Sequence, residues 1–368
     1  VRVNIPSVDK APEQAPGFEQ AFGFRNDYKL GSGNKVVLPR VAFNYSFDTE
    51  RYTQLRGGVG AFQSVPPFVW LANPYQNNGG VTALSYRSFD PGNAPFSADP
   101  YDQNVPTVGS PSNQIDVIDP DFKLPTVWKA SLAFDHELPW YGLVASAEVQ
   151  TIRARDAAFY QALNIGEVQG QLFDGRNYYY CNLGSISSSN KNCGRNPSFS
   201  QISTLLTNTD KGKSDSLTLS LDKPMSDGWY ANAAYTRTRA TEVGSDASSQ
   251  AWSSYQFVSR LNPNEEIDTT ASREIRDSIK VSFGWERAFF GDYKTSFGAL
   301  FYGRTGLPYT WLINGDLNGD GIFQDPAYIP LRNDPNVSYG NATQAQIEAF
   351  HALIDRSDYL SGRRGQVA

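Results

Sequence analysis

Asp277-Ser278-Ile279-Lys280-Val281-Ser282-Phe283-Gly284-Trp285-Glu286-Arg287 decides the fold. Ile279, Val281, Phe283 and Trp285 share one parity, while Ser278, Lys280, Ser282, Gly284 and Glu286 take the other. A strand sends successive side chains to opposite faces, so this segment reads as a β-strand with one apolar and one wet face. The pattern recurs. Val41, Phe43, Tyr45 and Phe47 alternate with polar neighbours, as do Trp128, Ala130, Leu132 and Phe134. So do Leu143, Ala145, Ala147 and Val149; Leu217, Leu219 and Leu221; Trp229, Ala231, Ala233 and Tyr235; and Thr295, Phe297, Ala299 and Phe301. A Gly-rich eighth strand covers about 52–62. Together the spans 36–47, 52–62, 126–137, 141–153, 215–223, 228–239, 275–288 and 293–304 read as eight strands in four hairpins.

Connections between these strands are sorted by length. Within hairpins they are short: Asp48-Thr49-Glu50-Arg51, Leu138-Pro139-Trp140, Pro224-Met225-Ser226-Asp227-Gly228 and Phe289-Phe290-Gly291-Asp292. Between hairpins lie long loops, 63–124, 154–214, 240–274 and 305–368. Short turns at one rim and long loops at the other are the layout of an outer-membrane β-barrel, with the short turns in the periplasm. Tyr52, Trp140, Tyr141, Trp229, Tyr230, Phe289, Phe290 and Tyr293 flank the short turns and are expected to form an aromatic girdle at the membrane interface. The expected fold is therefore all-β, an antiparallel transmembrane barrel segment.

Composition sets outer limits. The chain has 368 residues, with 32 Lys and Arg against 38 Asp and Glu, a formal net charge of -6. That balance argues against a nucleic-acid partner. No run reaches the ~18 apolar residues of a membrane helix. Neither end carries a signal peptide or a closing element, so both read as cuts in a longer protein. Arg40, Arg56, Lys129, Asp135, Glu148, Asp222, Lys280, Glu286 and Lys294 fall on polar parities and are expected to face a hydrated interior.

The long loops carry the candidate sites. Asp316-Leu317-Asn318-Gly319-Asp320-Gly321, with Asp325 following, spaces oxygen ligands as a calcium loop does. Ala327 stands where the bidentate Glu belongs, so Asp325 would substitute; a solvated Asx/Gly turn is the other reading. Cys181 and Cys193, in a Gly/Ser/Asn-rich stretch, suit a disulfide in an oxidising compartment, the alternative being two free thiols. Tyr75, Tyr101, Tyr178, Tyr179, Tyr180, Trp252 and Tyr255 lie in loops rich in Asp and Asn and are the candidates for ligand contact. Residues 343–355 are expected to form a helix capped by Thr343, with Ile347, Phe350 and Ile354 on one face and His351 exposed. His136 is expected to be structural. Gly212-Lys213-Ser214 lacks the first P-loop glycine, Thr207 standing in its place, and catalytic signatures are otherwise lacking, so no enzyme is expected.

Several longer strings resemble the barrel of Oar-like TonB-dependent outer-membrane receptors. They include Pro39-Arg40-Val41-Ala42-Phe43-Asn44-Tyr45-Ser46-Phe47-Asp48, Phe68-Val69-Trp70-Leu71-Ala72-Asn73-Pro74-Tyr75 and Phe122-Lys123-Leu124-Pro125-Thr126-Val127-Trp128-Lys129. Thr305-Gly306-Leu307-Pro308-Tyr309 and Tyr359-Leu360-Ser361-Gly362-Arg363-Arg364-Gly365-Gln366 belong to the same set. The resemblance implies about eight to nine strands of a 22-stranded barrel, with a carboxypeptidase-regulatory-like domain and a plug elsewhere in the protein. It also implies outer-membrane lipid and a TonB-type energising complex as partners. Its function would be capture of a ligand by extracellular loops and passage through a plug-gated lumen. The rival from the residues alone is a secreted, soluble β-rich adhesin or glycan-binding protein with a calcium-ordered loop.

Overall fold

The computed structural model describes residues 17–25, 27–28, 36–65, 67–77, 98–99, 115–187, 189–199, 202–244 and 248–368. Eight long strands follow one another in a single antiparallel sheet: β1 (Arg40–Ser46), β2 (Thr53–Gln63), β3 (Thr126–Glu137), β4 (Val144–Leu163), β5 (Lys213–Ser226), β6 (Trp229–Glu242), β7 (Asp277–Phe290) and β8 (Tyr293–Arg304). Consecutive strands of this path pair with one another, and β1 and β8 do not pair with each other, so the barrel wall is open.

The register turns the sequence alternation into two faces. Tyr45, Leu55, Phe134, Ala147, Leu219, Tyr235, Ile279 and Gly303 form one continuous cross-strand row. One residue along on each strand, the row Ser46, Gln54, Asp135, Ser146, Ser220, Ala234, Lys280 and Tyr302 shares the opposite face. The apolar row is solvent-facing in the isolated chain: Tyr45, Phe134, Leu219, Tyr235 and Ile279 are all exposed. A soluble protein turns such a face into its core. A wall that leaves it outside needs lipid against it.

Turn chemistry closes the hairpins at the short rim. Asp227 and Gly228 both have positive φ (53° and 79°), the type I′ conformation whose twist matches its flanking strands. Two strands run longer than alternation alone suggests. The strand expected at 141–153 continues to Leu163, and its upper part, Ala157 to Leu163, pairs with a further strand at Ser203–Thr209. The strand expected at 215–223 spans Lys213–Ser226. The 154–214 region is thus partly sheet, not all loop. Beyond the membrane wall, Ile118, Phe122, Tyr160, Tyr179, Leu206 and Tyr255 are members of one buried hydrophobic cluster, against which Trp70, Leu71 and Trp252 pack. Loops that read as polar surface therefore fold into an extracellular cap with its own core.

Near the C-terminal end, the helix Gln344–Asp355 starts with a full capping box between Thr343 and Gln346. Ile354 packs with Ile329 and Leu360. His351, expected to be exposed, is buried: its ring bonds Tyr339 Oη at 3.1 Å and faces the Arg364 guanidinium at 3.2 Å. The helix turns that residue inward because it lies three positions before Ile354 on the buried side.

Candidate functional site

Strand alternation puts three charged side chains together on the inner face of the wall. Arg56 Nε donates to Asp135 Oδ2 at 2.9 Å and its Nη2 donates to Glu148 Oε2 at 3.2 Å. Ser146 Oγ donates to the other Asp135 oxygen at 2.5 Å. Lys294 and Glu286 pair at 2.7 Å nearer the short turns. Charges of both signs on this face are what a hydrated interior tolerates and a lipid face does not.

The girdle aromatics divide between the two faces. Trp229 pairs across the ladder with Trp285, Tyr141 packs edge-on to Trp229 at 6.1 Å, and Phe289 packs on Trp285 at 5.7 Å. Trp140, Phe290 and Tyr293 are exposed at the same rim. Tyr230 and Tyr52 depart from the expected girdle. Tyr230 is the neighbour of Trp229 and so faces inward, its ring lying across Gly284. Tyr52 donates its hydroxyl to Gln54 at 2.6 Å, on the inner parity.

The cap redistributes the seven ligand candidates. Tyr101 lies outside the described residues. Tyr255 is fully buried, with Arg260 over its ring at 4.7 Å and Trp252 stacked on it at 5.9 Å. Tyr179 and Tyr180 are buried as well. Burial and nearby carboxylates push the Tyr179 hydroxyl up to about 12. Tyr180 donates to the Asp316 carbonyl at 2.8 Å. These three side chains are packed inside the cap and leave little surface. Tyr75, on the helix Phe68–Gln76, is partly buried, and Tyr178 lays its ring over Gly170.

The acidic turn is built from the same logic. Asp316 accepts from Gly319 N and Gly321 N, Asp320 from Ile322 N, and Asp325 from Leu317 N. Gly319 has φ of +77°, and a Cβ there would stand 2.8 Å from the Tyr180 ring, so both backbone and packing demand glycine. Arg176, with no exposed surface, joins Asp174 at 2.7 Å to Asp325 at 3.0 Å, and Lys191 lies 3.5 Å from Asp316. Among the described residues no three His, Cys, Asp or Glu side chains converge as a metal cage. As placed, protein N–H groups and the Arg176 and Lys191 cations contact these carboxylate oxygens. Desolvation, reinforced by Asp316 and Asp325, pushes the Asp320 carboxyl up to about 7. Cys181 and Cys193 are joined in a disulfide. It closes the loop whose Asn192 donates to the Ile165 and Asp320 carbonyls, and so anchors the turn to the cap.

Sequence reasoning missed a cavity among the loops. A space of about 670 Å³ is lined by Tyr309, Trp311 and Tyr359 together with Arg260, Glu274 and Arg276. Tyr309 and Trp311 meet edge-on at 6.0 Å, and Arg363 sits 3.8 Å over the Tyr359 ring. Its volume and its mixture of aromatic walls with a few charged groups are those of a small-ligand pocket. The signal was the Tyr309-Thr310-Trp311 triplet after β8, which has no acidic neighbours to draw attention.

An open antiparallel wall with apolar outside, charged inside, aromatic short-turn rim and folded long-loop cap defines a membrane β-barrel. Residues 15–360 match the family model for the outer membrane beta barrel domain, and the chain belongs to that family. The protein is accordingly an outer-membrane protein. No curated protein matches the chain.

Proposed function

We propose that the chain is barrel wall and extracellular cap of a TonB-dependent receptor of the Oar-like kind, which captures a ligand with the cap and passes it through a plug-gated lumen. The observation that carries this reading is the cap itself. A passive pore has no use for several long loops folded around a shared core with a 670 Å³ aromatic-lined cavity among them. The string resemblance running from Pro39 to Gln366 supports the same reading, and outer-membrane residence removes the secreted adhesin. No reaction is assigned to the chain. The test uses the full-length protein in outer membranes, cross-linked in cells with and without an intact proton-motive force. Recovery of the periplasmic energising protein on the receptor, lost when its N-terminal periplasmic segment is deleted, is the expected result. Ligand uptake and surface binding that are indifferent to the energising complex would overturn the proposal.

A further inference from the structure

The outer face of the wall is not apolar throughout. Above Val149, Leu217 and Tyr235, the same outward parity continues into Thr151 and Arg153 on β4, Lys213 and Asp215 on β5, and Arg237 and Arg239 on β6. Cross-strand pairing sets Arg153 opposite Lys213 and Asp215 opposite Arg239. All four cations are exposed. Arg153 is bound to Asp215 through both guanidinium nitrogens, at 2.8 and 3.1 Å, and Arg237 lies 3.7 Å from Asp277. Among the described residues neither Lys213 nor Arg239 has an ion pair. The patch is therefore net positive on a chain whose overall charge is -6.

Height along the strand fixes where this patch meets the bilayer. Arg239 is ten residues above the girdle residue Trp229 on β6. At about 3.3 Å per residue and a strand tilt of about 40°, that is roughly 25 Å, the height of the apolar band of such barrels. The cations thus stand at the outer-leaflet headgroup level. On the same cross-strand rows as Arg239 and Arg237, a groove of about 480 Å³ runs sideways over Ala130, Leu132, Val149 and Leu217.

We propose that Arg153, Lys213, Arg237 and Arg239 bind the phosphate groups of an outer-leaflet glycolipid, one of whose acyl chains lies in the groove. Guanidinium and ammonium groups at the edge of a bilayer pair with phosphate through charge-assisted hydrogen bonds, and their aliphatic stems lie along the apolar wall below. Asp215 occupies the Arg153 guanidinium and so competes with the lipid phosphates for it.

The experiment measures glycolipid retained by the full-length protein after extraction from outer membranes into detergent, by native mass spectrometry and phosphate analysis. The Lys213→Gln/Arg239→Gln double variant is expected to lose retained glycolipid by at least about fivefold, and enzymatic removal of the lipid phosphates to do the same to the unaltered protein. Lys294→Gln, at the opposite rim, should change nothing. Asp215→Asn, which removes the competing carboxylate, should increase retention and so reads out even if the double variant folds poorly. Equal retention by the double variant and the unaltered protein, or equal retention of phosphorylated and dephosphorylated lipid, would overturn the proposal.

Discussion

Asp320 shows how a single side chain in the cap couples stability to pH. Its folded carboxyl is pushed up to about 7 by desolvation, well above the ordinary aspartate value of 3.8. Between those values this group binds more protons in the folded than in the unfolded state, so the stability it contributes is fully present below about pH 4 and is lost as pH rises through about 7. Each unit of raised pKa is worth on the order of 1.4 kcal/mol. Amide hydrogen exchange at Gly319 and Ile322 should accordingly show stronger protection at pH 5 than at pH 8, after correction for intrinsic rates, and Asp320→Asn should flatten the difference. Undiminished protection at pH 8 in the unaltered chain would show that the carboxylate is accommodated in its charged form. At this level the sequence was legible in type and not in place. Alternating oxygens and glycines announced a tight turn at 316–321, and the turn is there. Spacing cannot say whether those oxygens serve a cation or the chain's own N–H groups. That depends on Arg176 and Lys191, which arrive from far away in the chain. The burial of loop tyrosines was not legible for the same reason: an aromatic beside Asp and Asn looks exposed until other loops close over it, as they do over Tyr179, Tyr180 and Tyr255.

Strands and helices were more readable, because each records its environment within its own few residues. The period of two in Ile279, Val281, Phe283 and Trp285 needs only one strand and a difference between its faces. Thr343 with Gln346 states a helix start in four residues. Strand ends were less so. β4 runs on to Leu163 because Ser203–Thr209 is available to pair with it above the membrane, a partner forty or more residues away. Pairing also explains Gly284. The Tyr230 ring lies across it, and a Cβ at that position would stand 2.0 Å from a ring carbon, whereas nothing lies within 4 Å of one at its ladder partner Gly298. Gly284→Ala is expected to displace the ring and to destabilise the wall by about 1–3 kcal/mol. Gly298→Ala is expected to stay within about 0.5 kcal/mol. Urea unfolding in detergent micelles measures both, and equal midpoints for the two variants would mean that the ring is not seated on Gly284.

Taken together, the eight strands commit the molecule to a lipid solvent. A sheet with an exposed row from Tyr45 across Leu219 to Ile279 cannot rest in water, and its ion pairs on the other face cannot rest in lipid. Placing one face against hydrocarbon and the other against a hydrated interior satisfies both. The open edges at β1 and β8 leave strand groups to be paired before such a wall is complete. This arrangement followed from alternation and the sorting of loop lengths. The folded cap did not, since its core is assembled from residues spread over many loops with no period of their own. The most direct measurement is accessibility along β5 in the full-length protein reconstituted in bilayers. Single cysteines at 216 to 221 carry a spin label, while Cys181 and Cys193 stay protected in their disulfide. Labels at 217, 219 and 221 should collide with lipid-soluble oxygen and those at 216, 218 and 220 with a water-soluble nickel complex, the two profiles out of phase with a period of two. Nickel access at both parities, or no alternation, would contradict the membrane wall.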